Sequence, residues 1–258
     1  MRDRSTRSFF QIVVMAAMLS AGGAFPPTAL AADIKVIAAN AIKDGYAELV
    51  AAFESSSGHK VMTTWAGTVA ATKKVSDGEV YDLVIIGSSN IDQLIAAGKL
   101  VAGSRADFAK TGIGVAVRSG LPKPDISTAD AVKAAALSAK SIAYSAGPSG
   151  AYVGELLKRL GIGEQVASKI KQPSSGAEAA ALLARGEADL GFAQVSEFMN
   201  VPGLIELGPL PASIQNFTIY AVGLHVAAPS PDAAASLIRY LRAPEAARAI
   251  KKMGMEPG

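Results

Sequence analysis

Apolar and polar positions alternate from residue 34 and then run apolar to Ala39, the pattern of a buried first strand. Residues 44–55 place Tyr46, Leu49, Val50 and Phe53 at helical spacing, and Gly58 supplies a stop. Residues 60–65 read as a second strand, 66–68 as a turn and 69–75 as a helix. The apolar run at 81–87 is a third strand, and 91–97 a helix that ends at Gly98. Strands and helices alternating at this spacing predict a parallel α/β sheet.

The pattern then starts afresh. Residues 113–117 predict a strand that crosses into a second lobe beginning near Gly112. A helix follows at 129–137, capped by Ser127, then a strand at 141–144 and a helix at 151–160. Residues 177–185 predict a small-residue helix and 188–193 a strand. A strand at 218–224 crosses back, and the last helices close the first lobe. The expected lobes are 33–112 plus 221–258, and 113–220.

Composition narrows the setting. Arg2, Arg4 and Arg7 precede an apolar stretch at 9–19, and Ala29-Leu30-Ala31 has the form of a cleavage site. Residues 1–31 therefore read as a signal peptide with a periplasmic destination; an uncleaved anchor is the alternative. Removing them takes away three arginines and one aspartate, so the net charge falls from +3 to +1. No basic block remains for nucleic acid or a membrane surface. The chain has no cysteine, which excludes disulfides, thiolate zinc sites and an N-terminal lipid on cysteine. With two histidines, His59 in a solvated turn and His225 after an apolar strand, neither a metal nor a cofactor is expected. Hydrophobic residues make up 50% of the chain and charged ones 18%, enough for a substantial core in a monomer.

Ligands of open α/β sheets sit at the carboxyl ends of strands, where helix N-termini present free N–H groups. Four such junctions occur, at 40–43, 66–68, 147–152 and 194–197. Their small and hydroxyl residues serve either as helix caps or as ligand contacts for an anion. Lys43 is either a surface lysine or a partner for a carboxylate in the cleft. Trp65 and Tyr152 are candidate cleft walls, and Trp65 is equally placed for the core. Lys43, Tyr152 and Glu197 are the loop residues with acid or base chemistry. No G-x-S-x-G, no histidine near a candidate serine and no P-loop points to a hydrolase or nucleotide enzyme.

Several segments resemble the molybdate-binding branch of the type II periplasmic binding proteins. They are Ile34-Lys35-Val36-Ile37-Ala38-Ala39-Asn40-Ala41, Asp82-Leu83-Val84-Ile85-Ile86-Gly87-Ser88, Gly150-Ala151-Tyr152 with Glu155-Leu156-Leu157, and Gly186-Glu187-Ala188-Asp189-Leu190-Gly191. The closing helices from Ser230-Pro231-Asp232 to Glu256-Pro257 are similar as well. The resemblance implies a two-lobed α/β fold with a hinge and a central cleft. It carries the ligand positions onto Ala41, Thr68, Ser149 and Gln194, with Lys43 and Tyr152 beside them. A serine of the molybdate binders falls on Ala41, another on Thr68, an alanine on Ser149 and a tyrosine on Gln194. These departures suit another anion, such as a carboxylate. Two function classes follow. The leading reading is a carrier, not an enzyme, that binds a small anion and hands it to an ABC permease in the inner membrane. The alternative is an enzyme that interconverts cis- and trans-aconitate, since aconitate isomerases resemble the same family. A transcription-factor effector domain of similar fold is disfavoured by the signal peptide and the lack of a DNA-binding module.

Overall fold

The computed structural model describes residues 31–258. Residues 1–30 of the expected signal peptide lie outside the described residues. The first strand, β1 (Asp33–Ala39), alternates exposed and buried positions before four consecutive buried ones. It pairs in parallel with β2 (Lys60–Ala66) and β3 (Leu83–Gly87). Between them run α1 (Lys43–Ser57), α2 (Thr68–Ser76) and, after β3, α3 (Ser88–Ala96). Helix α1 buries Tyr46, Leu49 and Phe53 on one stripe, as its spacing predicts. It ends at Gly58, whose φ of 74° and N–H bond to the Glu54 carbonyl make a left-handed cap.

The next strand, β4 (Ala106–Arg118), is longer than the 113–117 expected from the sequence. Its first half pairs antiparallel with β9 (Phe217–Leu224), up to Gly112 opposite Phe217. Its second half pairs antiparallel with β7 (Leu190–Gln194), starting at Ile113 opposite Gln194. One strand thus serves both halves of the sheet. The second half adds α4 (Ala129–Ser138), β5 (Ile142–Tyr144), α5 (Pro148–Arg159), α6 (Gly163–Val166) and β6 (Ile170–Lys171). It continues through α7 (Gly176–Ala184), the short α8 (Val195–Phe198) after β7, and β8 (Leu204–Pro209). Helices α9 (Pro231–Leu241) and α10 (Ala246–Lys252) and strand β10 (Glu256–Pro257) return to the first half. The strand order is β2-β1-β3-β9-β4-β7-β5-β6, with β8 and β10 also on β4.

The apolar core follows this division. One cluster draws on residues between Ile34 and Ala109 and between Tyr220 and Met255. Two others draw on residues between Ile113 and Leu210. Among the described residues no helix is long and apolar enough to cross a membrane.

Three local expectations are corrected. Thr128, not Ser127, caps α4, its side chain accepting from the Ala131 N–H at 3.1 Å. Helix α5 begins at Pro148 rather than 151, because proline fits the first turn, where no N–H is needed. His59 is 8% exposed and stacks on Phe53 at 5.9 Å between centroids, and its Nδ1 accepts from the Ala32 N–H. The strands β6, β8 and β10 carry no alternation long enough to read in advance.

Candidate functional site

Four chain reversals meet at one place. Ala39, Asn40 and Ala41 arrive after β1, Gly67 and Thr68 after β2, and Ser145 to Ser149 after β5. Ser174, Ser175 and Gly176 open α7 beside them. With Glu197 and Tyr220 they line a cavity of about 270 Å3. Helices α2 and α5 start from Gly67 and Gly147, neither of which gives a side-chain cap. Their first-turn N–H groups therefore keep their partial positive charge for an anion. Thr68 and Ser149, the first and second residues of these helices, are buried at the cavity and serve as no cap. Helix α7 differs: Ser175 Oγ accepts from the Glu178 N–H at 3.2 Å, while Glu178 accepts from Ser174 N–H and Oγ.

The two halves touch across the cavity. A Cβ added to Gly67 would lie 2.7 Å from the Ser174 carbonyl oxygen, and one on Gly87 would lie 3.3 Å from Pro148 Cγ. The cleft is closed.

Glu197 is the one carboxylate in this lining. Burial pushes its pKa up to about 7, against the pull of backbone N–H groups of Gln194, Ala177 and Gly176. By its surface the residue as a whole is only partly buried. Its carboxylate rests on Gly176 so closely that a Cβ there would overlap it. Tyr220 comes from β9 and is 3% exposed. Burial first, then the nearby Glu197 charge, hold its hydroxyl well above the ordinary value, so it stays a neutral donor.

A second cavity, of about 780 Å3, shares Asn40, Ala41 and Glu197 with the first. Lys43, Ser196 and Asn200 line it among others, as does Lys252, whose ammonium lies 2.8 and 2.9 Å from the Glu48 carboxylate.

The structure brings Ala41, Thr68 and Ser149 together in the first cavity and puts Lys43, with Ala41, in the second. Gln194 and Tyr152 line neither. The Gln194 carboxamide is 1% exposed and lies 3.3 and 3.2 Å from the carbonyls of Thr111 and Gly112. Those two carbonyls accept, so its nitrogen faces them and its oxygen takes the Thr218 hydroxyl at 2.6 Å. It ties the end of β7 to both crossing strands. The Tyr152 hydroxyl donates to the Ile214 carbonyl at 2.9 Å, and Arg159 lies over its ring. Trp65 meets Tyr46 edge to face in the first core. His225 is buried and accepts from the Ala227 N–H. Sequence reasoning missed Ser145, Ser174, Ser175, Gly176 and Tyr220. Ser175 with Glu178 three residues on is a capping signature that marks the α7 start; Tyr220 had no local signal.

Two α/β halves joined by crossing strands and closed over a polar cavity define a two-lobed binding protein of the type II periplasmic fold. The chain belongs to the bacterial extracellular solute-binding proteins, whose family pattern matches residues 34–256. Aconitate isomerase from a Pseudomonas species is 34% identical over 230 residues, covering 87% of each chain. The molybdate-binding protein of Azotobacter vinelandii is 29% identical over 241 residues, 88% of this chain and 90% of that one. The solved Azotobacter vinelandii periplasmic molybdate-binding protein superposes with a TM-score of 0.75 at 21% identity, over 87% of this chain and 99% of that one.

Proposed function

We propose that this protein is an isomerase built on the solute-binding scaffold, interconverting cis- and trans-aconitate in the periplasm. The observation that carries this reading is Glu197, whose carboxylate lies against Gly176 in a cavity otherwise lined by anion-binding groups, where desolvation raises its pKa to about 7. Glu197 accepts from the Gln194 N–H at 3.2 Å in the capping box of α8, but beyond that cap a site that only holds an anion gains nothing from a carboxylate in its wall. A site that moves a proton needs one, and a pKa close to the working pH suits a group that both takes and returns it. The relative named for aconitate isomerisation points the same way.

The reaction needs no oxidant and no cofactor. Ionised Glu197 takes a proton from the methylene carbon of aconitate. The electron pair left behind spreads through the allyl unit and into the adjoining carboxylate. The double bond shifts by one carbon, and Glu197 returns the proton to the other end of the three-carbon unit. The uncapped starts of α2 and α5, with Thr68, Ser149 and Tyr220, stabilise the charge that builds on the carboxylate oxygens. Lobes 33–112 plus 221–258, and 113–220, close on the ligand after the leader 1–31 is removed, and the enzyme acts as a monomer.

A second reading is supported by the family and by the molybdate-binding relative: carriage of a small anion to an ABC permease. Incubating residues 32–258 with each aconitate isomer and following conversion by proton NMR separates the two. Conversion is expected, and Glu197→Gln should lower its rate by about 10^2–10^4-fold while the dissociation constant changes little. Tight binding of aconitate without conversion would rule out the isomerase and leave the carrier.

A further inference from the structure

We propose that Gln194 is a positioning residue for Glu197: its carboxamide, anchored on the crossing strands, holds the start of α8 and with it the carboxylate in the cavity. The inference rests on the isomerase reading above and adds what keeps its proton-carrying group in place. Helix α8 is a single turn, Val195–Phe198, too short to hold its shape alone. Gln194 is its entry and Glu197 its third residue, whose carboxylate turns back to the Gln194 N–H at 3.2 Å. Where the carboxylate lies thus follows from where Gln194 lies.

Gln194 is held from both crossing strands. It is 1% exposed, and its main chain ends the β7 ladder opposite Ile113. Its carboxamide nitrogen reaches the carbonyls of Thr111 and Gly112 on β4, and its oxygen takes the Thr218 hydroxyl on β9. The Tyr220 hydroxyl, two residues further along β9, adjoins the same carboxamide. One side chain therefore sets the spacing between Glu197 and Tyr220, the two titratable residues in the lining of the first cavity. The crossing has a second clamp. Gln215 Oε1 accepts from the Ile113 N–H at 2.8 Å, and its Nε2 donates to the Ile113 carbonyl at 3.1 Å. A Cβ on Gly112 would come within 3.0 Å of that side chain. With β4 fixed in this way, loss of the Gln194 amide falls on α8. It leaves two carbonyls and a hydroxyl without their partner, which buried polar groups accommodate only by shifting or by admitting water.

The test follows turnover of cis-aconitate by proton NMR for the wild type, Gln194→Met and Thr218→Val, the last removing only the hydroxyl that donates to the carboxamide. Gln194→Met should lower kcat about tenfold or more with KM within about threefold, and Thr218→Val should lower kcat several-fold. In a Glu197→Gln background, Gln194→Met should cost less than about twofold more, because the group it acts through is already gone. Full kcat in both variants, or the same loss in both backgrounds, overturns the positioning role. Carbon NMR of the Glu197 carboxyl across pH gives a readout that needs no turnover. Tyr220, Lys43 and Lys252, the titratable residues that share its two cavities, are the same in every variant. Gln194→Met should move the Glu197 midpoint down toward the ordinary carboxylate range, since burial is what raises it. An unmoved midpoint overturns the proposal. The two readings fail separately. A wild type that leaves aconitate unconverted sinks the isomerase, while a moved midpoint keeps the role of Gln194; conversion with an unmoved midpoint does the reverse.

Discussion

Glu197 and Gly176 form a pair that neither residue explains alone. Only a residue without a Cβ lets the carboxylate lie against the start of α7, and that placement removes it from bulk water. The consequence is a linkage between protonation and folding. The folded pKa of about 7 lies above the ordinary 4.5, so between those values the folded protein holds a proton the unfolded chain has lost. Stability contributed by this group is present below pH 4.5 and is lost as pH rises through 7, by at most about 3 kcal/mol. Urea unfolding at pH 5 and pH 8 should show the wild-type protein losing more stability over the interval than Glu197→Gln. Equal losses would mean that Glu197 ionises as it does in water. Glu197 was legible in the sequence only as one of three loop residues with acid or base chemistry. What sets it apart from Lys43 and Tyr152 is burial against Gly176, a contact across more than twenty residues that no local pattern encodes.

At the scale of elements, the strands and helices that bury an apolar stripe were readable, because periodicity is a local property. The loops after β1, β2 and β5 were readable for the same reason, as each follows an apolar run directly, and they hold Ala41, Thr68 and Ser149. Tyr220 was not, since its place in the site depends on β9 lying between β3 and β4, a pairing fixed by distant chain. Nor could the sequence separate a Gln194 that faces a ligand from one that braces the crossing strands. Element junctions also depend on single buried charges. Asp82 is fully buried and accepts from the Lys35 N–H at 2.7 Å and the Ser230 N–H at 2.6 Å. It thereby fastens β1, the start of β3 and the entry to α9. Hydrogen bonds to a charged group are worth about 1.5–3 kcal/mol each, and Asp82→Ala strands two donors. The expected loss is about 3 kcal/mol or more, a drop in Tm of about 6–12 °C by calorimetry. A drop under about 2 °C would show that water replaces the carboxylate freely.

For the whole molecule, the closed cleft is set by contacts that leave no room for side chains. Gly67 has φ of −68° and ψ of 151°, which any residue can adopt, so only space forbids a larger one. Gly67→Val should hold the halves apart at Ser174. The expected result is at least a tenfold loss of trans-aconitate affinity with little change in unliganded stability. Small-angle scattering should then give a larger radius of gyration for the variant than for the wild type at saturating ligand. Equal radii and equal affinities would show that closure does not use this contact.

The position of β9 has a further consequence, for the order in which the molecule can be assembled. β3 waits for a neighbour that lies more than 130 residues further along the chain. The strands of the second half, β5 to β8 with the end of β4, are drawn from one continuous stretch. A chain made from its N-terminus can therefore complete the second half while the first still lacks β9 and its last two helices. Contacts between segments so far apart close slowly, because the loop entropy must be spent before the contact forms. Strand β3, made early, is thus among the last strands to find both its neighbours.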